Sequence, residues 1–248
     1  SLGPGAAGFE VGDEVYGLND WFSNGAQAEY CAASTKVLAP KPKALSHAEA
    51  AVVPISALTA WQGLFEKGRL ERKQRVLIHG GAGGVGTFAV QMARWRGAHV
   101  TATASSGNLD FVRALGADVV INYNATRFED VVCDMDVIFD CVGGETLERS
   151  WKILEKGGRL ISIVGEATRP PLSQRSRDAF MLVRADGSQL AEIGRMIEAG
   201  ELRVFTEATY PLANAKDAYA RAAQGKMRGK IALSVLNDQT VSENPKNP

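Results

Sequence analysis

The sequence is short of cysteine, of charge of one sign and of long apolar runs, and each shortage removes a class of protein. Cys31, Cys133 and Cys141 form an odd set with no CxxC spacing, so neither a disulfide framework nor a thiolate zinc site can be built from them, which fits a reducing cytosol. The apolar runs, such as Val76 to Ile78 and Val119 to Ile121, fall far below the ~20 residues that a membrane-spanning helix needs. Lys+Arg and Asp+Glu number 28 each, so no net field favours nucleic acid or an anionic membrane surface. No charged segment precedes an apolar one near the start, so no signal peptide is visible and a cytoplasmic location is expected. A chain that begins at Ser1 without Met is also expected to lack its natural start.

What is present is ordinary for a globular protein. Apolar residues make up 45% and charged residues 23% of 248, enough to bury a core in one large domain or two modest ones at about 100–200 residues per domain. No internal repeat or block of like charge occurs. From Gly3 to Pro42, short β-type runs (Asp13 to Tyr16, Gln27 to Ala32, Val37-Leu38) are separated by turn residues such as Asn24-Gly25. From Ser46, apolar residues recur at helical spacing, with Pro54 dividing two segments.

Between Arg75 and Gly165 apolar strands alternate with amphipathic helices. The pattern predicts strands at Val76 to His79, His99 to Ala104, Val119 to Ile121, Val137 to Asp140 and Arg159 to Val164, with helices at Val85 to Arg96, Leu109 to Leu115 and Thr146 to Leu154. Strands this apolar belong in a parallel sheet covered on both faces, so the fold class is α/β and doubly wound. Gly97, Gly116 and Gly157 each stand just past a predicted helix, where a left-handed C′ residue is expected. A strand Phe180 to Val183, a helix Leu190 to Ala199, a strand from Val204, a helix Ala213 to Ala223 and a strand Lys230 to Val235 follow. The polar residues from Asn237 to Pro248 read as a loose tail.

One motif carries chemistry. The strand ending at His79 runs straight into Gly80-Gly81-Ala82-Gly83-Gly84-Val85-Gly86, where Gly81, Gly83 and Gly86 satisfy G-x-G-x-x-G between a strand and a helix. The glycines permit a tight turn, let backbone N–H groups approach a pyrophosphate and let the helix pack on the strand, while the helix N-terminus adds partial positive charge. The ribose-binding carboxylate expected about 20 residues further on is missing: Thr101 to Asn108 holds no Asp or Glu, and Asp110 falls inside the next helix. Hydroxyls and an amide in that place favour NADPH over NADH, although the loop also lacks Lys and Arg. Arg113, one helical turn on, is either a phosphate contact or a solvated charge. His79, closing an apolar strand, reads as a packed, hydrogen-bonded residue.

Seven stretches, in order, resemble the medium-chain dehydrogenase/reductases, specifically their zinc-independent quinone oxidoreductase and enoyl reductase branch. They are Asp13 to Gly17, Gly25 to Tyr30, Ala57 to Trp61, Gly80 to Gly86 followed by Gln91, Leu115 to Asp118, Asp140 to Gly144, and Gly229 to Ile231. The resemblance implies a partial GroES-like β-rich catalytic domain over 1–50, a Rossmann cofactor domain over 51–204, a segment returning to the catalytic domain over 205–236, and a tail over 237–248. It places Thr59 near the nicotinamide, Gly83, Gly84 and Val85 under the pyrophosphate, and Ser105, Asn108 and Tyr123 around the 2′-phosphate. Cys141, Val142, Val164, Gly165, Phe180 and Leu182 would line the cofactor cleft, Lys230 would reach the cofactor, and the protein would pair as a homodimer. Tyr123 reads equally well as a strand-end aromatic, and Lys230 as a surface lysine.

The sequence departs from the zinc-dependent branch, because Tyr16 to Tyr30 holds no cysteine and the residues around Pro54 to Ser56 offer no metal ligand. It also lacks the strands that precede Leu2 to Gly12 in relatives. The expected activity is zinc-independent, NADPH-dependent hydride transfer to a small-molecule substrate, a quinone or an α,β-unsaturated carbonyl compound; Trp21 and Phe22 read either as an apolar wall for that substrate or, more simply, as packing residues. Two alternatives stay open: a catalytically silent cofactor-binding or interaction protein, and a reductase domain excised from a multidomain synthase. No proton donor is identifiable.

Overall fold

The computed structural model describes residues 1–19, 25–165 and 173–235. In chain order its strands and α-helices are β1 (Val15–Gly17), β2 (Leu38–Pro40), α1 (His47–Ala51), α2 (Val53–Trp61), β3 (Arg75–His79), α3 (Gly84–Trp95), β4 (His99–Ala104), α4 (Leu109–Ala114) and β5 (Val119–Asn122). They continue with β6 (Met135–Asp140), α5 (Gly144–Ser150), β7 (Leu154–Ser162), α6 (Gln174–Asp178), α7 (Gly187–Glu198), β8 (Thr206–Pro211), α8 (Ala215–Ala223) and β9 (Lys230–Ser234). No helix among the described residues is long and apolar enough to cross a membrane.

The core is a five-stranded, all-parallel sheet in the order β5-β4-β3-β6-β7. Val76, Leu77 and Ile78 of β3 and Val137, Ile138 and Phe139 of β6 are all fully buried, as central strands covered on both faces must be. Their alternating side chains enter two separate apolar clusters: Val76, Ile78 and Phe139 on one side of the sheet, Leu77 and Ile138 on the other. The chain winds from β3 outward to β5 and then crosses back to β6 on the opposite side of β3, so strand order reverses beside β3. In open parallel sheets that reversal opens a crevice beyond the carboxyl ends of the strands. The Rossmann architecture expected from the sequence is therefore present.

Two smaller sheets flank it, an antiparallel β1-β2 pair and a parallel β8-β9 pair. Tyr16 of β1 buries its ring and donates its hydroxyl to the Leu190 carbonyl of α7 at 2.7 Å. Two buried glutamines make reciprocal amide bonds with distant backbone. Gln62 bonds both N–H and C=O of Arg184, and Gln91 those of Arg203. Each side chain thus completes the hydrogen bonding of a loop that has no strand neighbour there.

Several expectations need correction. Gln27 to Ala32 is exposed and forms no strand, since it finds no pairing partner among the described residues and an unpaired strand has nothing to stabilise it. The helix predicted to reach Leu154 stops at Ser150, because Met135 takes Ile153 and Leu154 into the sheet edge. Gly157 has the expected positive φ of 85°, but inside β7 and not after a helix, whereas Gly97 and Gly116 do follow helices. Phe180 to Val183 makes a single bridge to Ser162 in place of a strand. Pro54 sits in the first turn of α2, where its missing N–H costs no helical bond.

His79 closes β3 fully buried, with Nδ1 3.3 Å from the Thr103 hydroxyl and Nε2 3.0 Å from that of Ser150. Burial, with the Arg149 cation nearby, pushes its pKa down to about 3. The unfolded chain therefore binds a proton that the native state refuses, so this residue's stabilisation is complete above about pH 6.5 and drains away as pH falls towards 3. We expect His79→Gln to flatten the pH dependence of the urea midpoint between pH 6.5 and 4 relative to the parent chain.

Candidate functional site

The turn after β3 is built by backbone demands that only glycine meets. Gly80 adopts a φ of 76°, and a Cβ on Gly86 would run into the Gly80 carbonyl and the backbone of Gly81. Gly81 lies beneath the turn, where a Cβ would press on Ala102 and Val112 at 3.1 Å. Thr103 of β4 fixes the entry: its carbonyl accepts from Gly81 N at 2.9 Å and its hydroxyl from Gly80 N at 3.1 Å. Helix α3 starts at Gly84 with no side chain capping its first N–H groups, which leaves those donors for a ligand.

A cleft of about 390 Å³ opens over this turn, within the range of small-molecule and cofactor sites. Gly83, Gly84, Val85 and Gly86 form one wall, Ser105, Asn108 and Tyr123 lie at the β4 and β5 end, and Cys141 and Lys230 close another side. The structure thus gathers nine of the residues singled out from the sequence. Thr59 is elsewhere, its hydroxyl donated to the Ile55 carbonyl within α2 at 2.5 Å. Val142, Phe180 and Leu182 are roughly half exposed; they stand with Val164 and Gly165 beyond the ends of β6 and β7, outside the cleft lining. A Cβ on Gly165 would lie 3.7 Å from the Phe180 ring, so these two are neighbours there. Arg113 pairs with Asp110 at 2.6 Å, both largely exposed on α4 and outside the cleft lining. Trp21 and Phe22 fall outside the described residues.

The wall facing the glycine turn comes from the far end of the chain. Gly229 bridges Gly83 and donates its N–H to the Ala82 carbonyl at 3.0 Å. Residues 225–227 line the cleft beside it. The stem of Lys230 lies across Gly84, where a Cβ would come within 2.6 Å of its Cε. Its ammonium has no hydrogen bond or ion pair among the described residues, and burial holds its pKa below the usual lysine value. Cys141 beside it is pushed up by burial and by the Asp140 charge, so its thiol stays protonated.

Asp140 escaped the sequence reading. It ends β6 fully buried, and its carboxylate accepts from Val142 N, from Gly143 N and from the Ser162 hydroxyl at 2.8 to 3.0 Å. Burial outweighs these bonds and raises its pKa. The bonds fix the 141–143 loop at the mouth of the crevice, where Gly143 takes a φ of 76°. The available signal was an acid closing an apolar strand, three residues before the paired glycines Gly143-Gly144.

A glycine turn at the point of strand reversal, uncapped donors and a half-buried cation mark a nucleotide-binding Rossmann domain. Residues 115–233 match the family model described as zinc-binding dehydrogenase. The chain is 33% identical over 93% of its length, and 68% of the relative's, to the NAD(P)H oxidoreductase RTN4IP1, mitochondrial, of Danio rerio. It is 34% identical over 94% of its length to the 2-methylene-furan-3-one reductase of Solanum lycopersicum, of which it spans 60%. The solved quinone oxidoreductase from Coxiella burnetii superposes with a TM-score of 0.86 at 30% identity, covering 95% of this chain and 76% of that one. The chain belongs to the zinc-binding dehydrogenase family of the medium-chain dehydrogenase/reductases, an oxidoreductase family built around a nicotinamide cofactor.

The family's two implied groups fare differently against these residues. The cleft fits a dinucleotide, with glycines where a diphosphate needs close backbone approach and an unpaired cation above them. For zinc, no group of three or more His, Cys, Asp or Glu side chains converges among the described residues; His47 pairs with Glu14 and His79 is enclosed by hydroxyls. The described residues do not fit a zinc site. We expect Gly86→Ala to displace the turn and to weaken dinucleotide binding at least tenfold in a fluorescence titration. Asp140→Asn should lower stability by about 1–3 kcal/mol, by leaving buried N–H donors facing an amide, as read from denaturant unfolding.

Proposed function

We propose that this chain is an NADPH-dependent, zinc-independent reductase that passes hydride to a quinone or to the β-carbon of an α,β-unsaturated carbonyl compound. The observation that carries the reading is the Lys230 ammonium, half-buried above the glycine turn with no anionic partner among the described residues. A partly desolvated cation without a counter-charge is costly, and a diphosphate on the amides of residues 84–86 would reduce that cost. The nicotinamide, when bound, supplies the hydride.

The protein's own residues do the rest. The α3 N-terminus and Lys230 would hold the diphosphate and Ser105, Asn108 and Tyr123 would receive the adenosine ribose, while Asp140 fixes the 141–143 loop at the mouth of the crevice. The apolar residues Val142, Val164, Phe180 and Leu182 beyond the ends of β6 and β7 would offer an apolar acceptor a surface. Without zinc, negative charge growing on the acceptor oxygen must meet hydrogen-bond donors. The substrate class draws on relatives whose names describe a quinone oxidoreductase and a furanone reductase, and a homodimer remains our expectation from the family.

An NADPH fluorescence titration followed by a turnover screen on quinones and enones tests this function. Micromolar NADPH binding with turnover on either class is expected. No binding at high micromolar NADPH overturns the reading, and binding without turnover makes it a silent cofactor-binding protein. Lys230→Met, which keeps the stem over Gly84, should weaken NADPH and NADH alike by roughly 10- to 100-fold, the loss of one charge-assisted contact to the shared diphosphate.

A further inference from the structure

The loop from Ser105 to Asn108 receives the ribose end of the cleft yet contains no cation. The structure brings one to it from 120 residues away. The Arg228 guanidinium lies over the Phe111 ring, 5.0 Å from its centroid. Its Nε donates to Asn108 Oδ1 at 2.9 Å and its Nη2 to the Gly107 carbonyl at 3.0 Å, while Nη1 makes no hydrogen bond among the described residues. Asn108 is itself buried and lines the cleft with Ser105, Tyr123 and Lys226. Lys226, held at a φ of 57°, has no ion pair among the described residues.

The loop that carries both cations is held in place. Arg221 donates to the Gly225 carbonyl at 3.0 Å and pairs with Glu207, and Glu207 also accepts from the Arg228 backbone N–H at 3.0 Å. Glu207, the carboxylate that holds the Arg228 backbone N–H, is thus engaged by Arg221. Asp110, the acid nearest in sequence to Asn108, pairs with Arg113. Lys226 lines the cleft itself, while Arg228, exposed and outside the lining, stands beside the ribose end through its bond to Asn108, its guanidinium fork suited to phosphate.

We propose that Arg228, assisted by Lys226, is the residue that selects a 2′-phosphorylated dinucleotide over its 2′-hydroxyl counterpart. The inference rests on the proposed cofactor site and adds the source of its selectivity. With no ligand, the neutral acceptors Asn108 and Gly107 keep the guanidinium beside the ribose position. A 2′-phosphate offers the same donors a doubly charged partner, whereas a 2′-hydroxyl offers them little more than they already have.

The test is the affinity of the chain, of Arg228→Gln and of Asn108→Asp for NADPH and for NADH, measured in parallel by fluorescence at low and moderate salt. We expect the parent chain to prefer NADPH, with a preference that shrinks as salt rises. Arg228→Gln should bind NADPH roughly 10- to 100-fold more weakly while NADH affinity changes less than about twofold. Asn108→Asp, nearly the same shape, neutralises Arg228 and repels a phosphate, so it should shift preference towards NADH even if Arg228→Gln folds poorly. Equal losses for both nucleotides in Arg228→Gln would make the arginine a structural clasp and overturn the inference, as would an unchanged NADPH affinity or a parent chain that prefers NADH. A parent chain that binds neither nucleotide would instead overturn the cofactor reading itself.

Discussion

The site depends on a set of backbone N–H groups left without a capping side chain among the described residues at the amino end of α3, beside the strand where the sheet reverses its winding. Everything nearby serves to keep those groups exposed and aligned. Gly86 lets α3 press against the turn, Thr103 anchors the turn to β4 through its carbonyl and hydroxyl, and the buried run of β3 holds the whole arrangement rigidly in the sheet. A helix start in this setting attracts anions through both its free donors and its dipole. The positive potential is reinforced by Lys230, which arrives from the last described strand.

That last strand links two parts of the chain that are remote in sequence. Through Gly229, which bridges Gly83, and through Arg228, which reaches Gly107 and Asn108, the 225–230 loop closes one side of a cleft whose other side is the Rossmann sheet. A bound dinucleotide would touch both. Ligand binding should therefore stabilise the docking of β8 and β9 as well as the turn itself, in proportion to the ligand's affinity for the native state over the unfolded chain.

The central architecture was legible because its signals are local. A covered parallel strand must be apolar throughout, a phosphate turn must be glycine, and both constraints act on neighbouring residues; hence β3, the turn and α3 fall within a residue of their expected places. Elements that depend on distant partners were not legible. Gln27 to Ala32 alternates like a strand but finds nothing to pair with among the described residues, and the 151–154 stretch is drawn into the sheet by Met135 and not into a helix.

The same division runs through the site. Gly83, Val85 and Gly86 could be read from spacing, and Lys230 from the resemblance of Gly229 to Ile231 to a family pattern. Arg228 could not, since its relation to Asn108 spans 120 residues and no local pattern marks it; the loop's lack of charge was visible, but not where the charge would come from. Asp140 and Thr103 act through backbone bonds that no spacing rule encodes. The most direct measurement is hydrogen exchange of the backbone amides from 81 to 87, with and without saturating NADPH. Slowed exchange centred on those amides, together with residues 225–230, is the predicted result; unchanged exchange there, with protection confined to another part of the molecule, would contradict it.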